Sequence, residues 1–63
     1  MVSENLKALK SKKKMTRREL SKRSGLTEKA IYNIETGKRK NLELETLQKL
    51  SKALEVTIDE LVN

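Results

Sequence analysis

The sequence contains no cysteine and no histidine, so disulfide staples, thiolate or imidazole metal sites and His- or Cys-based nucleophilic catalysis are all excluded. It also lacks proline, phenylalanine and tryptophan, and its single aromatic residue is Tyr32. Stacking on unpaired bases, which single-strand and RNA binders use, therefore has almost nothing to work with. No apolar run approaches the roughly 18 residues of a membrane span, and no hydrophobic signal segment is seen at the N-terminus, so a cytoplasmic protein is expected. Glycine is confined to Gly25 and Gly37, and no Gly-rich phosphate loop or carboxylate pair suggests an enzyme. No cofactor is expected.

What remains is short, charged and helical in pattern. A chain of 63 residues forms one domain, 1–63, and a domain this small buries only about 60% of the surface its unfolded chain exposes. The net charge is +6, and it is unevenly spread. Residues 7–23 hold nine Lys or Arg against the single Glu19, whereas in residues 43–60 five acids (Glu43, Glu45, Glu55, Asp59, Glu60) oppose Lys49 and Lys52. The basic part is suited to a polyanion and the acidic part is not.

The most informative stretch is residues 16–37, TRRELSKRSGLTEKAIYNIETG. Thr16 followed three residues later by Glu19 has capping-box spacing, in which each side chain satisfies a backbone N–H that the first helical turn leaves unpaired. That helix ends near Ser24-Gly25-Leu26, where a glycine permits positive φ. Thr27 then caps a second helix, closed at Gly37. Leu20, Leu26, Ile31 and Ile34 are the apolar positions of the two-helix unit, and Glu28, Lys29, Tyr32 and Asn33 lie on the outward face of the second helix.

Before this unit, a helix runs from about Ser3 to Lys13 with Leu6 and Leu9 inward, and Met15 plugs the gap to the next helix. After it comes a cationic loop over residues 38–43. A fourth helix is predicted near 44–54, with Leu44, Leu47, Leu50 and Leu54 as one apolar stripe. A second capping box, Thr57 with Glu60, opens a short fifth helix.

Taken together, MTRRELSKRSGLTEKAIYNIETGKRK and the later LETLQKLSKALEVTIDELV resemble the DNA-binding domain of the lambda, 434 and Cro repressor type, the XRE-type helix-turn-helix regulators of bacteria and phages. The resemblance runs from about Leu6 to Val62. The chain differs from the usual family pattern in carrying Arg17 for Gln, Ser21 for Ala, and no Pro near Leu42. It implies an all-α, compact five-helix bundle with the helix-turn-helix at helices 2 and 3. It also implies a sequence-specific transcriptional regulator of duplex DNA, a repressor, whose helix around 27–36 enters the major groove.

By position in that pattern, Glu28, Lys29, Tyr32 and Asn33 are the base-contact candidates. Lys29 can donate to guanine, Asn33 can pair with adenine, and Glu28 can accept from cytosine, while Tyr32 sits at the margin. The phosphate-contact candidates are Thr16, Arg17, Thr27, Thr36, Lys38, Arg39 and Lys40, which supply hydroxyls, cations and helix N-termini. The family pattern also pairs Lys10 with Glu35. One copy reads too few base pairs to find a site in a genome, so a weak homodimer on a near-palindromic operator is expected, with Val56, Ile58, Leu61 and Val62 as its interface. Two rival readings remain open at this point: a protein-interaction module of the same fold, such as an antitoxin or anti-repressor, and a truncated or redesigned domain with weakened DNA binding.

Overall fold

A computed structural model describes residues 2–63. They form five helices: α1 (Val2–Lys12), α2 (Arg17–Ser24), α3 (Glu28–Glu35), α4 (Leu44–Leu54) and α5 (Ile58–Val62). No strand occurs among the described residues, and none of their helices is long and apolar enough to cross a membrane. Helix α2 packs on α3 and α4, α1 packs on α3 and α5, and α4 closes the bundle against α5.

Every helix contributes at least one residue to a single core. Leu6, Leu20, Ile31, Ile34, Leu50, Leu54 and Leu61 are fully buried, and Ala53 is nearly so. Val2, Leu9, Met15, Leu26, Leu42 and Val56 cover its margins. Burying each large aliphatic side chain contributes about 1.5–3 kcal/mol, and with no cysteine in the chain no disulfide supplements that sum.

The helix ends are made in three ways. Thr16, Thr27 and Thr57 each accept the backbone N–H three residues ahead, from Glu19, Ala30 and Glu60 respectively. Gly25 (φ 79°) and Gly37 (φ 80°) end the two helices of the central unit in the left-handed region. The framework helices α1 and α4 end in the same region without glycine, at Lys14 (φ 52°) and Glu55 (φ 58°). There the amides of Met15 and Val56 return to the carbonyls of Lys10 and Ser51 at 2.9 Å each.

Three expectations are corrected. The Thr16–Glu19 box is half formed: Thr16 caps, but the Glu19 carboxylate turns to Arg23 at 3.5 Å instead of to the Thr16 amide. The Thr57–Glu60 box is complete. Leu44 is 63% exposed and lies outside the α4 stripe. With about 100° of rotation per residue, Leu47, Leu50 and Leu54 cluster within roughly 60° of one another, and Leu44 falls outside that arc. Thr46 and Ala53 fill the buried face in its place.

Leu61 is the third correction, because its exposure is 0% and it has no surface to offer a partner. A helix of five residues between α1 and α4 turns one side chain fully inward, and that one is Leu61. Its carbonyl also accepts the Asn5 amide of α1 at 2.8 Å, which ties the two ends of the chain together. Of the other proposed interface residues, Val56 and Ile58 are half-buried, and Val62 is 40% exposed.

Candidate nucleic-acid interface

The turn between α2 and α3 is fixed by hydrogen bonds from both sides of Gly25. Gly25 N–H donates to the Ser21 carbonyl at 3.0 Å, the Ser21 hydroxyl donates to the Leu26 carbonyl at 2.5 Å, and Leu26 N–H donates to the Ser24 hydroxyl at 3.2 Å. In the sequence, Ser21 stands only as a departure from the family's usual alanine. The signal that could have revealed more is the placement of a serine on either side of the turn, since short hydroxyl side chains bond readily to nearby backbone.

Helix α3 is sharply two-sided. Ile31, Ile34 and Glu35 are buried, whereas Glu28, Lys29 and Tyr32 are exposed and Asn33 is half-exposed. All four base-contact candidates therefore share one accessible face. Glu28 occupies the first turn of α3, where its charge favours the positive end of the helix dipole.

On the buried side, Lys10 Nζ of α1 meets Glu35 Oε2 at 2.6 Å, with side-chain exposures of 19% and 11%. This is the pair that the family pattern implied. Glu35 Oε1 is buried without a hydrogen-bond partner. A lysine is a point donor and reaches one oxygen, whereas an arginine fork can engage both. The pair joins α3 to α1 across their packed faces.

Five of the seven phosphate-contact candidates come from two separate stretches, and Thr27 and Thr36 cap the two ends of α3. Thr16 and Arg17 stand at the start of α2, and Lys38, Arg39 and Lys40 follow α3. The structure brings the two stretches together at Tyr32. The Arg17 guanidinium carbon lies 5.0 Å from the Tyr32 ring centroid and Lys38 Nζ lies 6.0 Å from it. Both distances fall within the range of cation–π attraction, about 0.5–1 kcal/mol at exposed sites. The loop is held by Arg39 N–H donating to the Asn33 carbonyl at 3.1 Å.

The three threonines of the set differ in what they can still donate. Thr16 and Thr27 accept amide hydrogens through Oγ1, so each keeps its own hydroxyl hydrogen for an incoming oxygen. Thr36 Oγ1 instead donates to the Tyr32 carbonyl at 2.9 Å, and must give up that bond to serve a phosphate. Arg39 is partly countered by Glu43 at 4.0 Å, whereas Lys40 has no carboxylate partner among the described residues.

Comparison with known proteins places this geometry. The helix-turn-helix family model matches residues 6–61. The structure of SinR, a master regulator for biofilm formation, in complex with DNA superposes over the full length of both chains with a TM-score of 0.94; at 24% identity it speaks for the fold. The restriction-modification controller protein C.AhdI from Aeromonas hydrophila is 30% identical, covering 95% of this chain and 89% of its own, with a TM-score of 0.89. The controller protein C.Esp1396I is 36% identical over 89% of this chain and 71% of its own, with a TM-score of 0.82. No curated protein sequence matches. With the family model spanning α1 to α5 and the capped helix pair at its centre, this chain belongs to the XRE-type helix-turn-helix family.

Proposed function

We propose that this chain is a transcription regulator that binds duplex DNA sequence-specifically, with α3 in the major groove and two copies acting as a pair on a near-palindromic site. Glu28, Lys29 and Asn33 are the base readers in this proposal, and Thr16, Arg17, Thr27, Lys38 and Lys40 hold the sugar-phosphate backbone on either side. The observation that carries it is the convergence of cations from the start of α2 and from the loop after α3 on the exposed face of α3. The relatives support it: SinR was captured with DNA, and the two controller proteins belong to restriction-modification systems.

Pairing of two copies rests on Val62, with Val56 and Ile58 beside it. Val62 lines a shallow hollow of about 210 Å³ together with Val2, Ser3 and the loop after α3. The patch is small, so the pair is expected to form weakly in free solution and to be stabilised on DNA.

Selection of bound duplexes from a random pool tests the reading. Enrichment of inverted repeats with half-site centres about 10 base pairs apart is the expected result, and failure to enrich any duplex at low salt overturns it. On the selected duplex, Asn33→Ala is expected to lose about 1–3 kcal/mol while leaving affinity for random duplex nearly unchanged. Equal losses on both would remove Asn33 from the base readers.

A further inference from the structure

Tyr32 differs from its neighbours on the exposed face of α3 in what covers its ring. Arg17 and Lys38 both lie over it, yet the four ion pairs among the described residues engage Lys10, Arg23, Arg39 and Lys49, and neither Arg17 nor Lys38. The distinction matters electrostatically. A carboxylate fixes a cation by cancelling its charge, whereas an aromatic face attracts a cation through its quadrupole and leaves the charge available. Arg and Lys also carry the largest rotamer entropies of the side chains, so a cation ordered before binding has less freedom to lose when a phosphate arrives. Two cations drawn to one ring repel each other, and an anion that binds both relieves that repulsion.

We propose that Tyr32 is a positioning residue: its ring holds Arg17 and Lys38 as a pre-ordered, un-neutralised pair for the DNA backbone, and it does not itself read a base edge. The proposal deepens the DNA-binding reading and rests on it. It departs from the marginal base contact expected of Tyr32, because Arg17 and Lys38 both lie over its ring. It also gives the departure at Arg17 a purpose, since glutamine has no charge for a ring to hold.

The test uses the full chain and two duplexes of equal length, one selected and one random, titrated at several salt concentrations. Tyr32→Phe keeps the ring and is expected to bind as the parent protein does. Tyr32→Leu is expected to weaken both duplexes by the same factor, about three- to tenfold. Its salt slope should be unchanged because both cations remain. The Arg17→Ala/Lys38→Ala double variant should lower the slope by roughly 0.9 for each cation removed. In that background Tyr32→Leu is expected to have no further effect, the signature of residues acting as a unit. Thermal melts establish that each variant is folded, as expected for a substitution at an exposed helical position.

A loss confined to the selected duplex, or an equal loss in both backgrounds, overturns the positioning role while leaving the DNA-binding reading intact. Failure of the parent protein to bind either duplex at low salt overturns the reading itself.

Discussion

The helix-turn-helix unit and the framework that carries it end their helices differently. Both helices of the unit, α2 and α3, start on a threonine whose hydroxyl accepts an amide and are followed by a glycine at positive φ. In the framework, α1 and α4 enter the left-handed region on Lys14 and Glu55, and α4 begins at Glu43 with no side-chain cap. The unit that presents the candidate site is thus defined by local chemistry. In the framework, α5 also opens on a local cap, whereas the ends of α1 and α4 are held by packing and tolerate residues whose own preferences run against their conformation.

The two regions meet at a polar joint, Lys10 with Glu35, and the largest expected effect lies there. Lys10→Met leaves the Glu35 carboxylate in the bundle with both oxygens unpartnered. Breaking a buried pair costs about 3–5 kcal/mol, and the residual exposure of both groups places this one at the lower end, about 3 kcal/mol. For a domain of this size that is a large share of the total, so urea melts should find the variant barely folded. Lys10→Arg should instead raise stability, because the fork reaches the Oε1 that now lacks a donor. An unchanged midpoint for Lys10→Met would mean that the framework holds α3 without this joint.

Next in size is a pair of opposite substitutions at the helix ends. Gly25→Ala places a Cβ where no atom lies within 4 Å, so its cost is the left-handed backbone alone, about 1–2 kcal/mol. That corresponds to a fall in melting temperature of about 5–15 °C. Glu55→Gly relieves the same conformation in the framework and is expected to gain about 0.5–1 kcal/mol, less than the relief because glycine also frees the unfolded chain. Shifts of the same sign for the two variants would erase the distinction between the regions.

That distinction also governs what could be read from the sequence. The threonine caps, the two glycines and the inward Ile31 and Ile34 act over one or two turns, and all were legible. The left-handed ends at Lys14 and Glu55 were not, because nothing in either side chain favours them and packing imposes them. The leucine spacing alone places Leu44 in the stripe, but as the first residue of α4 it lies outside the arc of Leu47, Leu50 and Leu54. The sequence does not separate buried Leu61 from exposed Val62, because a five-residue helix shows no periodicity to assign its faces. For the candidate site, the exposed face of α3 was legible from i, i+3 spacing. The meeting of Arg17, Tyr32 and Lys38 was not, since it depends on how α2 and the loop after α3 pack around that face.

The smallest expected effect compares the two threonine–glutamate boxes. Glu60 Oε1 accepts the Thr57 amide at 3.2 Å, and residues 56–63 contain no cation to draw it away. Glu19 has Arg23 one turn on, and their attraction opens the box. Both acids lie in the first turn of a helix, so neutralising either one loses a similar dipole interaction of a few tenths of a kcal/mol. Replacement by Gln isolates that charge term and keeps an acceptor; replacement by Ala removes the acceptor as well. The further cost of Ala beyond Gln should be about 0.5 kcal/mol at Glu60, where the Thr57 amide loses its partner, and near zero at Glu19. Raising the salt concentration should shrink the effect of Glu19→Gln through screening of the Arg23 pair and leave the Ala–Gln difference at Glu60 in place. Equal Ala–Gln differences at the two positions, measured in matched thermal melts, would mean that Glu19 closes its box in solution and that the unit and the last helix begin alike.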